Sequence, residues 1–206
     1  MESRIPFEYR RLVAGDGALT GLRPELEELA VDTYRRFRKD PSEPLSSTQL
    51  ARLMLGPGRV LYGPAGMTSE GAAVTLNGER RVYIRPGLSP QRQSHVVVHE
   101  ASHIFWGTKD EDFCNYIAAA LLAPAPAIRR ALGLSIRQMA EVFRVTQTLA
   151  ALREAEVTGR PRIVLARSHQ WVRGSWSVPA QEALTLPGLR KTRLTDAPKR
   201  YVIDAG

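Results

Sequence analysis

The segment His99-Glu100-Ala101-Ser102-His103 constrains this chain more than any other. Two histidines four residues apart lie on one face when the backbone between them is helical. On that helix both imidazoles reach one small ion, and Glu100, one residue further round, stands beside the ion without ligating it. The preceding Val96-Val97-Val98 is apolar, so the helix is expected to be buried against a sheet. Such a setting dries the site and strengthens its electrostatics. The motif fixes three positions of five. It reads equally as a surface helix with two histidines near a salt-bridging glutamate, unless the chain supplies a third ligand.

A catalytic zinc takes three protein ligands and leaves its fourth place to water. The chain has four histidines: His95, His99, His103 and His169. His169 lies far downstream in a basic segment. His95 is one turn before His99, but three ligands on successive turns of a straight helix span about 12 Å, too far for one ion. A carboxylate on the following helix is the better source, and Asp110, Glu111 and Asp112 all qualify. Glu111 is favoured because Glu111, Asn115, Ala118, Ala119 and Leu122 recur at helical spacing on one face. An acid in a first helical turn also complements the helix dipole, and that is the plainer reading for Asp110 and Asp112. The single cysteine, Cys114, excludes an internal disulfide and any multi-cysteine metal site.

The spacing predicts a helix over residues 24–39, broken by Asp40-Pro41-Ser42-Glu43-Pro44, then a short helix over 47–55 capped by Ser46 or Ser47 and ended by Gly56-Pro57-Gly58. Residues 72–76 and 81–84 read as strands joined through Asn77-Gly78, a strong hairpin signal. The motif helix is expected from Ser89 or Gln91 to Phe105, with Gly107 as its stop. A second helix follows over 109–122 and ends near Pro124 and Pro126. Residues 135–157 read as a further helical pair with a break near Arg144-Val145.

At 206 residues and 43% hydrophobic, the chain is long and apolar enough for a globular core rather than disorder. It contains no apolar stretch approaching the roughly 20 residues that span a bilayer. Its first residues, MESRIPFEYRRL, carry charges where a signal peptide needs an apolar run. A soluble, cytoplasmic protein without membrane attachment is therefore expected.

Beyond the motif, VVVHEASHIFWG followed by EDFCNYIAAALLAP resembles the signature of the ImmA/IrrE family of zinc metallopeptidase-like proteins. The likeness rests on the histidine motif, Glu111, Asn115, Ala118-Ala119, Leu121-Leu122 and Pro124, and extends over roughly residues 25–157. Ser102 stands where the family usually has glycine, Phe113 where it has an acid or amide, and His95 where it commonly has an aromatic residue. The resemblance implies an α+β fold: a mostly helical zincin-like peptidase core with a small antiparallel sheet. It implies a Zn2+ site of His99, His103 and Glu111, and a hydrolytic mechanism. Glu100 would take a proton from the attacking water and pass it to the leaving amine. Tyr116 and His95 are weighed as donors to the developing oxyanion, though each is more simply structural, and Ser102 adds a hydroxyl beside the metal pair. The implied substrate is a protein, plausibly a helix-turn-helix repressor in a stress or mobile-element circuit. The alternative is a catalytically silent module that binds a repressor or DNA.

On this reading residues 1–158 form the peptidase domain, including the helical pair at 135–157. Residues 159–206 form a basic extension, a small hairpin over Ile163–Ala166 and Gln170–Val172 followed by a loosely attached tail. The net charge of +8 is concentrated there, which makes DNA a possible partner of that region. The helical pair also has the apolar spacing of a helix-turn-helix, with Thr146-Gln147-Thr148 as its polar reader set. Packing within the protein is the favoured reading, because basic residues at that point are few. Trp171 and Trp176 beside Arg167 and Arg173 have the pattern of a base-stacking surface, although core tryptophans explain it more simply.

Overall fold

The computed structural model describes residues 23–158, and beyond them the backbone of Arg162–Ser168, Trp171–Arg173, Arg190–Leu194 and Arg200–Asp204. The fold is α+β and mostly helical. Seven helices are described: α1 (Pro24–Arg36), α2 (Ser47–Leu55), α3 (Pro90–Trp106), α4 (Glu111–Leu122), α5 (Ala125–Arg130), α6 (Ile136–Phe143) and α7 (Gln147–Thr158). Strands β1 (Arg59–Tyr62), β2 (Gly71–Leu76) and β3 (Glu79–Ile84) lie between α2 and α3. The four C-terminal segments are β4 to β7 in chain order.

The chain divides into two compact units. One holds Pro24–Arg130 with Glu141–Val145; the other holds, among the described residues, Arg23, Ala131–Ala140 and those from Thr146 onward. The helical pair at 135–157, read from sequence as part of the first domain, is thus divided between them, and α7 goes with the C-terminal strands.

In the first unit, α3 runs through the centre and packs against α2, α4, β2 and β3. Its apolar run explains this: Val96, Val97, Val98 and Ala101 are all buried. Ser89 caps its N-terminus by accepting from Arg92 N, and Pro90 takes the first turn, where its missing N–H is not needed. Ser46 and Gln49 close a capping box at α2. α1 packs on α4. Tyr34 is fully buried; its hydroxyl donates to Leu121 O at 2.7 Å and accepts from Leu45 N at 3.0 Å. Burial pushes this phenol up to about 12.

The sheet corrects one expectation. β2 and β3 pair antiparallel through the two-residue turn Asn77-Gly78, whose φ values of 50° and 79° match a primed hairpin turn. A further strand, β1, pairs with β3 in parallel, so the sheet is mixed, ordered β1-β3-β2, rather than purely antiparallel. Only four residues, Arg59-Val60-Leu61-Tyr62, make up β1, between glycines, and they show no clean alternation: three of the four are exposed. A segment that short carries little periodic signal.

The second unit also extends what composition conveys. β4 and β5 form the expected hairpin, but β6 and β7 join them in a four-stranded antiparallel sheet ordered β5-β4-β7-β6. Residues read as a tail therefore include two strands. The β-branched and aromatic run Tyr201-Val202-Ile203 is the local propensity that the surrounding prolines and lysines obscure. No helix among the described residues is long and apolar enough to cross a membrane.

Candidate metal centre

The site is built on the last two turns of α3 and the first turn of α4. Helical spacing brings His99 Nε2 and His103 Nε2 to 3.1 Å. The chain then reverses at Gly107, whose left-handed φ of 63° caps α3. Asp110 caps α4 by accepting from Phe113 N at 3.0 Å, which leaves Glu111 as the first helical residue. An edge contact between Trp106 and Phe113, with ring centroids 5.4 Å apart, packs the two helix ends together. The Glu111 carboxylate reaches back to both imidazoles, with Oε2 3.1 Å from His99 Nε2 and Oε1 3.4 Å from His103 Nε2.

These three separations test whether the side chains suit a metal. Ligand atoms around a tetrahedral zinc ion, each about 2.0–2.2 Å from it, lie roughly 3.3–3.6 Å apart. The two imidazole nitrogens stand 3.1 Å apart, and the Glu111 carboxylate faces them with a separate oxygen to each, at 3.1 and 3.4 Å, spacings close to those of a ligand shell. The protonation chemistry agrees. His103 Nδ1 lies 2.8 Å from Thr108 O, and since a carbonyl only accepts, Nδ1 carries the proton and Nε2 keeps its lone pair. The neutral form of His99 is favoured, first by burial and then by neighbouring His103, which hold its pKa well below the ordinary value. His99, His103 and Glu111 therefore form a group able to hold a metal ion. The Glu111 side chain is 66% exposed, so the group stays open to solvent on the α4 side.

Glu100 follows His99 on α3. Burial, its largest influence, pushes its carboxyl up to about 7, with His103 opposing and Glu111 adding to the shift. Cys114 Sγ lies 3.4 Å from His103 Nδ1, on the side away from the cluster. Its thiol is buried, raised to about 12 and therefore protonated, which makes it a packing neighbour rather than a thiolate ligand.

The secondary candidates fall into place differently. Asn115 is buried, and its side-chain amide donates to Glu111 O at 2.7 Å, anchoring the turn that carries Glu111. His95 is buried, its ring stacked at 6.1 Å on His99, and it belongs to the core rather than to the ligand group. Tyr116 is not an oxyanion donor: its hydroxyl, inside the core, donates to Glu27 on α1 at 2.6 Å. Ser102 adds no hydroxyl to the site, because its Oγ donates back to Val98 O at 2.7 Å and is fully buried. Asp110 acts as a cap, and Asp112 is exposed beside it.

Sequence reasoning missed Gly71 and the Glu70–Arg92 pair. Gly71 opens β2 directly against Glu100: a Cβ there would lie 2.6 Å from Glu100 Cγ and Oε1 and from Val96 Cγ1. Glu70 Oε2 accepts from Arg92 Nε at 2.9 Å, and Oε1 lies 3.5 Å from Arg85 Nη2. A lone glycine before a strand gives no signal of its own; the close approach emerges only when β2 is laid on α3.

Of the helix-turn-helix reader set Thr146-Gln147-Thr148, the first is half-buried and the other two are covered by protein. Gln147, Thr148 and Arg153 are buried, and Arg153 Nη1 pairs with Glu156 at 2.7 Å. A recognition helix needs its first-turn polar side chains exposed to reach base edges. His169, Trp176 and the side chains of Arg167, Trp171 and Arg173 lie outside the described residues.

No family profile and no curated protein sequence matches the chain. Among solved structures, a Mycobacterium tuberculosis transcriptional regulator shares its fold, with a TM-score of 0.60 and 14% sequence identity over 89% of this chain and 87% of the other.

Proposed function

We propose that this chain is a zinc-dependent endopeptidase with a protein substrate, related to the ImmA/IrrE family that its motifs resemble. The observation that carries the reading is the convergence of His99 Nε2 and His103 Nε2, 3.1 Å apart, on a largely exposed Glu111 carboxylate whose Oε2 lies 3.1 Å from the first and Oε1 3.4 Å from the second. When bound, zinc supplies Lewis acidity that acidifies a coordinated water and polarises a carbonyl oxygen. The chain's own residues supply the rest. His99 and His103 bring their Nε2 atoms to 3.1 Å of each other, and Thr108 O holds the His103 ring in the required tautomer. Asn115 fixes the turn that presents Glu111. Glu100, on the same helical turn as the ligands, takes the proton of the attacking water and returns it to the leaving amine.

The substrate this reading favours is a helix-turn-helix repressor. The structural neighbour described as a transcriptional regulator accords with such a setting. The test is zinc content together with cleavage of a co-expressed repressor, using Glu100→Gln as control. One zinc per chain, cleavage by the wild type and none by the variant is the expected result; protein that takes up no stoichiometric zinc overturns the proposal. The same neighbour supports a second reading, a peptidase-like module that captures a repressor or DNA without cutting. In that case Glu100→Gln leaves function in the cell intact.

A further inference from the structure

We propose that Gly71 is a positioning residue for Glu100: by lacking a side chain it forms the slot in which the Glu100 carboxylate is held beside the metal ligands. The inference rests on the reading of Glu100 as the base. Gly71 is not required by its backbone, since it is not among the glycines with positive φ. It is required by space. A Cβ would fall 2.6 Å from two atoms of Glu100 and from Val96 Cγ1, well inside contact distance, so either the carboxylate or the strand must move.

The slot is pinned on both sides. Gly71 pairs with Ile84 at the end of β3. The residue before it, Glu70, accepts from Arg85 N through its backbone at 2.9 Å and from Arg92 through its side chain. Arg92, Val96 and Glu100 recur every four residues along α3 and present one stripe to the start of β2. The strand is thus fastened to the helix beside the slot, and an added methyl has little freedom to slide away. The three atoms nearest to it belong to Glu100 and Val96, not to His99, His103 or Glu111. Displacing the base is therefore separable from losing the metal.

The experiment compares wild type, Gly71→Ala and the double variant Gly71→Ala/Val96→Ala, which removes the Val96 Cγ1 contact and keeps the two with Glu100. Three properties are measured: zinc affinity by chelator competition, the crystal structure at Glu100, and binding of acetohydroxamate, a small zinc chelator whose hydroxyl donates to a neighbouring carboxylate. Zinc affinity should stay within about threefold of wild type, while the Glu100 carboxylate is displaced in both variants. Loss of that charged hydrogen bond weakens acetohydroxamate by about 10- to 100-fold. Against a cleaved substrate, kcat falls and KM holds. Glu100 unmoved in the crystal, with acetohydroxamate bound as in wild type, overturns the proposal. Should the wild type bind zinc and acetohydroxamate yet cleave nothing, the peptidase reading fails while the slot is still decided by the crystal structures. Should it bind no zinc, the Glu100 position alone decides the slot.

Discussion

Two helix–turn–helix segments of this chain share a local grammar and differ in what they do with it. α3 and α4 are joined by a turn with Gly107 at φ 63°, and α6 and α7 by one with Arg144 at φ 54°. Each second helix begins on a side chain that accepts from the backbone three residues on: Asp110 from Phe113 N, and Thr146 from Leu149 N. In the first pair the polar residue at the helix start, Glu111, is exposed and reaches back to two imidazoles. In the second pair the corresponding residues, Gln147 and Thr148, are buried, and so is Arg153 further along the same helix. The difference teaches that polar residues at a helix start become a site only when their free valences converge on open space. Buried, they are part of the packing, where each must be satisfied internally.

The largest expected effect breaks the first pair. His99→Ala or His103→Ala should weaken zinc binding by more than the roughly 10- to 100-fold that residues behind the ligands are worth. Equilibrium dialysis against zinc should then find no stoichiometric metal. Glu100→Gln sharpens the same region. Zinc stoichiometry should be unchanged while hydrolysis of a cleaved substrate falls about 10²- to 10⁴-fold, the range for a lost general base. A variant that retains full rate would move this region from catalysis to capture.

Arg153→Ala breaks the second pair. Removing one partner of a buried ion pair costs about 3–5 kcal/mol, which denaturant titration would register. If the residue faced DNA instead, stability would hold and binding to duplex would weaken. The smallest effect concerns the packing of α1 on α4. Tyr34 has a folded pKa of about 12 against an ordinary value of about 10, so the fold favours the neutral phenol. Its stabilisation is complete below pH 10 and is lost as pH rises towards 12. Tyr34→Phe should cost about 1 kcal/mol at neutral pH through the lost hydrogen bond and should flatten the alkaline loss of stability. An identical alkaline profile in the variant would assign that loss to other groups.

Much of the first region is legible in the sequence because its signals are local. Two histidines at helical spacing and a hairpin at Asn77-Gly78 each act within a few residues. Glu111 could be chosen over its neighbours because a helical stripe continues from it. What escaped depends on contacts distant in sequence. Gly71 lies against Val96 and Glu100, the second 29 positions on by residue number, and Tyr116 donates to Glu27, on a helix 89 residues away. β1 escaped because four residues beside a parallel partner leave no alternating pattern. The burial of Gln147 and Thr148 escaped for a related reason: a capped helix start has the same composition whether solvent or protein covers it.

The central claim is that His99, His103 and Glu111 hold one zinc ion. Anomalous diffraction at the zinc edge, from crystals equilibrated with the metal, tests it most directly. A single peak at full occupancy is expected, about 2.0–2.2 Å from His99 Nε2, His103 Nε2 and a Glu111 carboxylate oxygen. A peak that excludes any of these three atoms, or none at saturating zinc, would contradict it.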